Sequence, residues 1–149
     1  MLNPPEAARS YSSVWDTGHD RSMLDSEQAW SAATNAAGQW MQIDLGTSRQ
    51  VVGVAIQGRG DSCCRDQHVT SFTVQYSMDG VYFTSLPTTF TSDATRQATT
   101  RVMFSPVTTR YVRIVVQTWN GHASMRAGVV VALQGKVEPS PPLHFPIAD

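Results

Sequence analysis

The chain is nearly devoid of lysine: Lys136 is the only one among eleven basic residues, and no Lys/Arg-rich run occurs anywhere. With a net charge of -1 and 15% charged residues, nothing drives it electrostatically toward nucleic acid or an anionic membrane. An arginine-dominated basic set favours planar, bidentate contacts to oxygen-rich groups, although codon bias alone would leave the same trace. Long apolar runs are missing too. Even residues 127–133 only reach strand length, so no segment is expected to span a bilayer. Residues 1–9 lack the basic start and apolar stretch of a signal peptide.

Cysteine is limited to the neighbours Cys63 and Cys64. A bond between adjacent residues would strain both ring and peptide, so the two are expected to remain thiols, which suits a reducing compartment. Together these absences predict a soluble, cytoplasmic protein. Catalytic signatures are absent as well: there is no Gly-x-Ser-x-Gly elbow, no phosphate-cradling glycine loop and no His-Glu-x-x-His. Cys64 with His68 would need a third, orienting group to act as a nucleophile. Zinc would accept Cys63, Cys64 and His68, but adjacent cysteines do not have the spacing of a structural site. A binding module rather than an enzyme is expected.

What the chain does contain is β-strand patterning. At 149 residues it suggests one domain able to bury its own core. Pro4-Pro5 and Pro139-Ser140-Pro141-Pro142 bracket a middle without Pro-rich segments, placing an N-terminal arm at 1–9, the domain at 10–137 and a Pro-rich tail at 138–149. Strands are predicted at 40–45, 50–57, 69–77, 81–85, 99–104, 111–117 and 125–134. In 111–117, Val112, Ile114 and Val116 share one face while Arg113 and Gln117 take the other. Asp79-Gly80 is a hairpin-closing dipeptide. The fold class is therefore all-β, a sandwich or jelly roll.

Chemistry gathers in the loops. The segment 11–21 combines Trp15 with Asp16 and His19: an aromatic ring to stack on the apolar face of a sugar, and groups to pair with its hydroxyls. The same residues would equally serve as a packed ring and turn caps. The segment 58–68 concentrates Arg59, Asp61, Arg65, Asp66 and His68, both hydrogen-bond signs in one loop; an Arg59 salt bridge to a neighbouring loop is the structural alternative. Arg59-Gly60-Asp61 also spells the tripeptide that integrin-type receptors recognise, a short motif that recurs by chance. Asn35 could orient a hydroxyl or simply form a turn. Trp119 and His122 flank a third loop, in which Asn120-Gly121 is a turn dipeptide first.

The segments Leu24-Asp25, Ala29-Trp30-Ser31, Gln39-Trp40-Met41-Gln42-Ile43-Asp44-Leu45-Gly46, Val51-Val52-Gly53-Val54, Gln57-Gly58-Arg59, Val69-Thr70-Ser71-Phe72, Tyr76-Ser77-Met78-Asp79-Gly80, Arg110-Tyr111-Val112-Arg113-Ile114 and Trp119-Asn120 follow in an order that resembles the discoidin family, also called the coagulation factor 5/8 type C domain. Gln57-Gly58-Arg59-Gly60-Asp61 with Thr118-Trp119-Asn120 is most similar to the amino-terminal domain of discoidin, a galactose and N-acetylgalactosamine lectin. The resemblance implies a jelly-roll β-sandwich of about eight antiparallel strands with ligand loops at one end. It makes Trp30, Trp40 and Arg126 structural. It also implies a calcium ion on Asp25, but Gly128 stands where the family often carries Glu, so that site is expected to be weak or lost.

Three functions follow as expectations. The first is a lectin for galactose-type carbohydrates or glycoproteins, built from Trp15, Asp16, His19, Asn35, Arg59, Asp61, Arg65, His68, Trp119 and His122. The second is an intracellular adaptor that docks a protein partner through the same loops or the Pro-rich tail. The third is a phospholipid-surface binder, which needs apolar loop tips, and only Trp15 and Met23 qualify. Avidity in a single-domain lectin would come from a homo-oligomer. Family members can also leave cells without a signal peptide.

Overall fold

A computed structural model describes residues 1–64, 66–93 and 98–133. Among these residues, eight antiparallel strands build one sheet: β1 (Arg9–Tyr11), β2 (Trp30–Ser31), β3 (Trp40–Gln57), β4 (His68–Ser77), β5 (Thr84–Ser85), β6 (Phe90–Thr91), β7 (Thr100–Asn120) and β8 (Ser124–Val131). The order is β2-β8-β3-β7-β4-β5, with β1 on β3 and β6 on β4. The long strands β3 and β7 pair along most of their length, and two register irregularities, between Asp44 and Arg49 and between Val51 and Gly53, bend them around the core.

Alternation decides what is inside. Met41 and Ile43 on β3, Phe72 and Val74 on β4, Val112, Ile114 and Val116 on β7, and Met125, Ala127 and Val129 on β8 are all buried, together with Trp30. These period-2 faces close on one another as a single apolar core. The strands predicted at 40–45 and 50–57 are one bent strand, and so are those at 99–104 and 111–117. The segment predicted at 81–85 shrinks to β5 because Asp79 Oδ1 accepts the Val81 and Tyr82 N–H groups at 2.9 and 3.0 Å, removing both from any ladder. Gly80, at φ +75°, supplies the left-handed turn there.

The first residues pack onto the body. Leu2 and Val129 exchange backbone hydrogen bonds, and a single 3-10 turn at Glu6–Ala8 leads into β1. Arg9 is buried, its guanidinium donating to the Pro4, Ser22 and Ala127 carbonyls and to Asn3 Oδ1. Burial lowers its pKa from the ordinary arginine value, with Glu6 opposing that effect. The Pro-rich tail lies outside the described residues.

Candidate functional site

The residues that meet at one edge of the sheet come from three loops. The first loop is pinned to β2: Trp15 N–H donates to the Ser31 carbonyl at 2.8 Å, Ser31 N–H to the His19 carbonyl at 3.1 Å, and Trp30 Nε1 to the Ser13 carbonyl. With its backbone held, the Trp15 side chain stands 57% exposed. Across from it is His122, whose ring meets Trp15 edge-on, centroids 5.2 Å apart at 83°. The His122 Nε2–H donates to the Ala32 carbonyl at 2.9 Å; a carbonyl can only accept, so in the neutral ring Nδ1 is left as an acceptor.

Arg59 closes the third side. Asp61 grips it with two oxygens, Oδ1 to Nε at 2.6 Å and Oδ2 to Nη2 at 2.9 Å, and Gln67 Oε1 accepts from Nη1 at 2.8 Å. Burial alone would raise the Asp61 pKa, but the hydrogen bonds and charge of Arg59 outweigh it and hold the carboxyl below its usual range. Arg59 Nη2 also lies 3.5 Å from His19 Nε2. The other ring nitrogen of His19, Nδ1, is buried with no partner among the described residues. Trp15, Ser31, Arg59, Gln67 and His122 line a cleft of about 140 Å³.

The Arg59 loop is itself anchored from below. Arg126, buried as expected of a structural arginine, donates from Nε to the Gly58 carbonyl at 2.7 Å and from Nη1 to the Ser26 carbonyl at 2.8 Å. Gly60 lets the two loops lie flush, since a Cβ there would fall 2.5 Å from the Ser26 carbonyl oxygen. The Arg-Gly-Asp tripeptide is thus folded back on itself, its cation spent on its own carboxylate.

Other expected site residues stand apart. Asp16 Oδ1 accepts the Thr17 N–H in a turn. Asn35 Oδ1 accepts the Ala123 N–H at 2.8 Å and so steadies the backbone next to His122. His68 Nδ1 donates to the Asp66 carbonyl at the start of β4. Trp119 packs against the core and, with Gln117 and Thr118, lines a separate cleft of about 360 Å³. That cleft is larger, but it gathers no charged side chain among the described residues, whereas the smaller one includes Arg59 and His122. Arg65 lies outside the described residues. Met23, the second candidate apolar tip, is half-buried and its backbone bridges to Ala127.

The cleft also contains two residues the sequence did not single out. Gln67 is uncharged within a loop crowded with charge, and Ser31 reads as one more strand residue after Trp30. Only the register of β2 against β8, Ser31 opposite Ser124, puts the serine at the rim.

The cysteine expectation is overturned. Cys63 and Cys64 are joined by a disulfide. In a strand their side chains would point to opposite faces, but they sit in a 3-10 turn, Ser62–Cys64, held by Cys64 N–H on the Asp61 carbonyl and Gln67 N–H on the Cys64 carbonyl. That turn brings neighbouring sulfurs together, and the argument for a reducing compartment loses its footing.

The residues present do not fit a calcium ion. Asp25 Oδ1 accepts from Gln57 Nε2 at 3.0 Å, and its N–H donates to Gln57 Oε1, so the carboxylate belongs to an internal amide pair. Where the resemblance would place a glutamate, a Cβ on Gly128 would meet Leu24 Cδ1 at 2.6 Å and the Leu2 carbonyl oxygen at 2.7 Å. Leu24 fills the space a second carboxylate needs.

Comparison with known proteins agrees with this architecture. The F5/8 type C domain model matches residues 7–129. Mouse lactadherin (Mus musculus) is 32% identical over 139 residues, 82% of this chain and 30% of its own length. Discoidin-1 of Dictyostelium discoideum is 33% identical over 108 residues, 69% of this chain and 41% of its own length. The chain therefore spans well under half of these curated relatives. Among solved structures, a CBM32 from Clostridium perfringens in complex with GalNAc-β-1,3-galactose superimposes with a TM-score of 0.69 at 16% identity, covering 85% of this chain and 97% of that one.

Proposed function

The chain belongs to the F5/8 type C domain family, and from that premise we propose that it is a non-enzymatic binding module that holds terminal galactose or N-acetylgalactosamine in the cleft between Trp15, Arg59 and His122. One observation carries the reading: an aromatic ring left more than half exposed stands across from polar groups whose positions the protein has already fixed. A galactose-type ring offers an apolar face for Trp15 and hydroxyls for the other walls. Arg59, gripped by Asp61 and Gln67, gives up little side-chain entropy when a hydroxyl approaches. His122 Nδ1 supplies the acceptor.

Size supports a single sugar. The cleft is smaller than the roughly 300–1,000 Å³ of drug-sized pockets, which suits a chain-terminal residue with the rest of the glycan in solvent. Affinity at one site is expected to be weak, and display on a multivalent surface raises it. The solved CBM32 complex with GalNAc-β-1,3-galactose supports the sugar class through shared fold.

The test is binding of wild-type and Trp15→Ala protein to a glycan array at high density, with and without a chelator. Capture by terminal galactose-type sugars, lost on Trp15→Ala and indifferent to chelator, supports the reading. Absence of binding to every such glycan sinks it. Binding that survives Trp15→Ala moves the ligand to another surface, with the Trp119 cleft as the next place to mutate.

A further inference from the structure

The Cys63–Cys64 disulfide lies inside the loop that builds one wall of the cleft, and its neighbours are the groups that fix Arg59. Asp61 both clamps Arg59 and, through its carbonyl, accepts the Cys64 N–H. Gln67 accepts from Arg59 Nη1 through Oε1 and from Arg59 N–H through its carbonyl, while its own N–H donates to the Cys64 carbonyl. The disulfide is therefore covalently inserted between the two side chains that hold the arginine. Cys63 is exposed, and its Sγ lies 3.5 Å from Asp61 Oδ2, the oxygen that bonds Arg59 Nη2.

We propose that Cys63–Cys64 is a redox-modifiable site: two-electron reduction by a dithiol opens the Asp61–Cys64 turn, loosens the grip on Arg59 and weakens ligand binding. The exposed Cys63 sulfur is the point of attack. A reagent thiolate bonds to Cys63 Sγ, the Cys63–Cys64 bond breaks, and Cys64 leaves as a thiolate that takes a proton. The reagent's second thiol then displaces Cys63, which gains the other proton, and the reagent departs as a disulfide.

Reduction changes the site in two ways. The short ring that ties two adjacent residues into one conformation is removed, so the turn regains backbone freedom. A disulfide sulfur cannot donate a hydrogen bond, but a Cys63 S–H can, and the acceptor at hand is Asp61 Oδ2. The new donor competes with Arg59 for that oxygen. Both changes act in one direction, toward a less fixed guanidinium.

The effect on affinity rests on the glycan reading, whereas the effect on the loop does not, so two readouts are taken on the same protein. Wild-type protein is treated with dithiothreitol under native conditions, thiols are titrated, and backbone amide exchange is followed at Arg59, Cys64 and Gln67. Release of two thiols and at least about tenfold faster exchange at these amides, with Ser31 and Leu86 unchanged, is expected. Unchanged exchange in the reduced loop overturns the proposal, as does a disulfide that stays closed at high dithiol concentration.

The double variant Cys63→Ser/Cys64→Ser should exchange like the reduced protein and ignore dithiothreitol; exchange like the oxidised protein overturns the proposal. Binding to immobilised galactose should fall by about tenfold on reduction, and equal binding in both states overturns the link to affinity. Failure of both states to bind any galactose-type glycan removes the glycan reading alone, because the exchange readout still decides the loop.

Discussion

Among the described residues, two places on the surface bring arginine together with tryptophan, and they differ in how much of the ring is left open. On the outer face of the sheet, the Arg113 guanidinium lies 3.8 Å from the centroids of both Trp40 and Phe83, and its Nε donates to Gln42. Burial there lowers the arginine's pKa from its ordinary value. At the rim, Arg59 is turned edge-on into its own Asp61 and Trp15 keeps most of its surface in solvent. The residue types are the same. What differs is whether the ring's face is already taken by the protein's own cation.

The comparison breaks most severely if the rim's backbone support is removed. Gly60→Ala drives a Cβ into the Ser26 carbonyl; shifting the loop to accommodate it should cost about 1–3 kcal/mol and abolish glycan capture, read by thermal denaturation beside the array. If stability and capture both persist, the two loops are not the rigid pair described above.

Trp15→Ala should divide the two sites cleanly. Affinity is expected to fall at least about tenfold, near 1.4 kcal/mol, while stability stays within about 0.5 kcal/mol because the ring is exposed. Trp40→Ala should do the reverse, lowering the melting temperature with capture intact. A matched loss of capture in both variants would dissolve the distinction.

Acid sharpens it further. The Asp61 carboxyl has a folded pKa below its usual value, so its contribution is fully present above the ordinary carboxylate value of about 4 and disappears as pH falls through the lower folded value. Asp61→Asn should remove that part of the acid slope, worth about 1 kcal/mol or less, and should weaken capture at neutral pH. The smallest effect on capture belongs to Arg113→Ala: affinity should be unchanged, while the lost ring contacts remove about 0.5–2 kcal/mol of stability, measured by the array and by denaturant titration.

Strand alternation made the core readable in advance, because a period of two needs only neighbours to be seen: Val112, Ile114 and Val116 announce their face and are buried. Asp79-Gly80 was equally plain, since the turn's chemistry is local. What could not be read was chemistry decided at long range. Arg9 falls in a stretch that looks like an arm, yet it is buried because Ser22 and Ala127, distant in sequence, bring their carbonyls to it. Cys63 and Cys64 meet only because a turn bends there.

The rim residues divide along the same line. Trp15, Arg59 and His122 were visible as ligand-type side chains in loops, and the structure brings these three together with His19 behind. Nothing about a loop says which of its polar groups will meet the backbone: Asp16 and His68 carried the same signal and bond within their own turns, and Asn35 reaches the distant Ala123 N–H.

The pairing of Leu2 with Val129 gives this fold a seam. Leu2 and the last described strand are adjacent strips of the same surface, so a short linker could bridge the seam between them. A permuted chain, joined across that seam and opened at the exposed Val81–Tyr82 turn, should keep its rim intact.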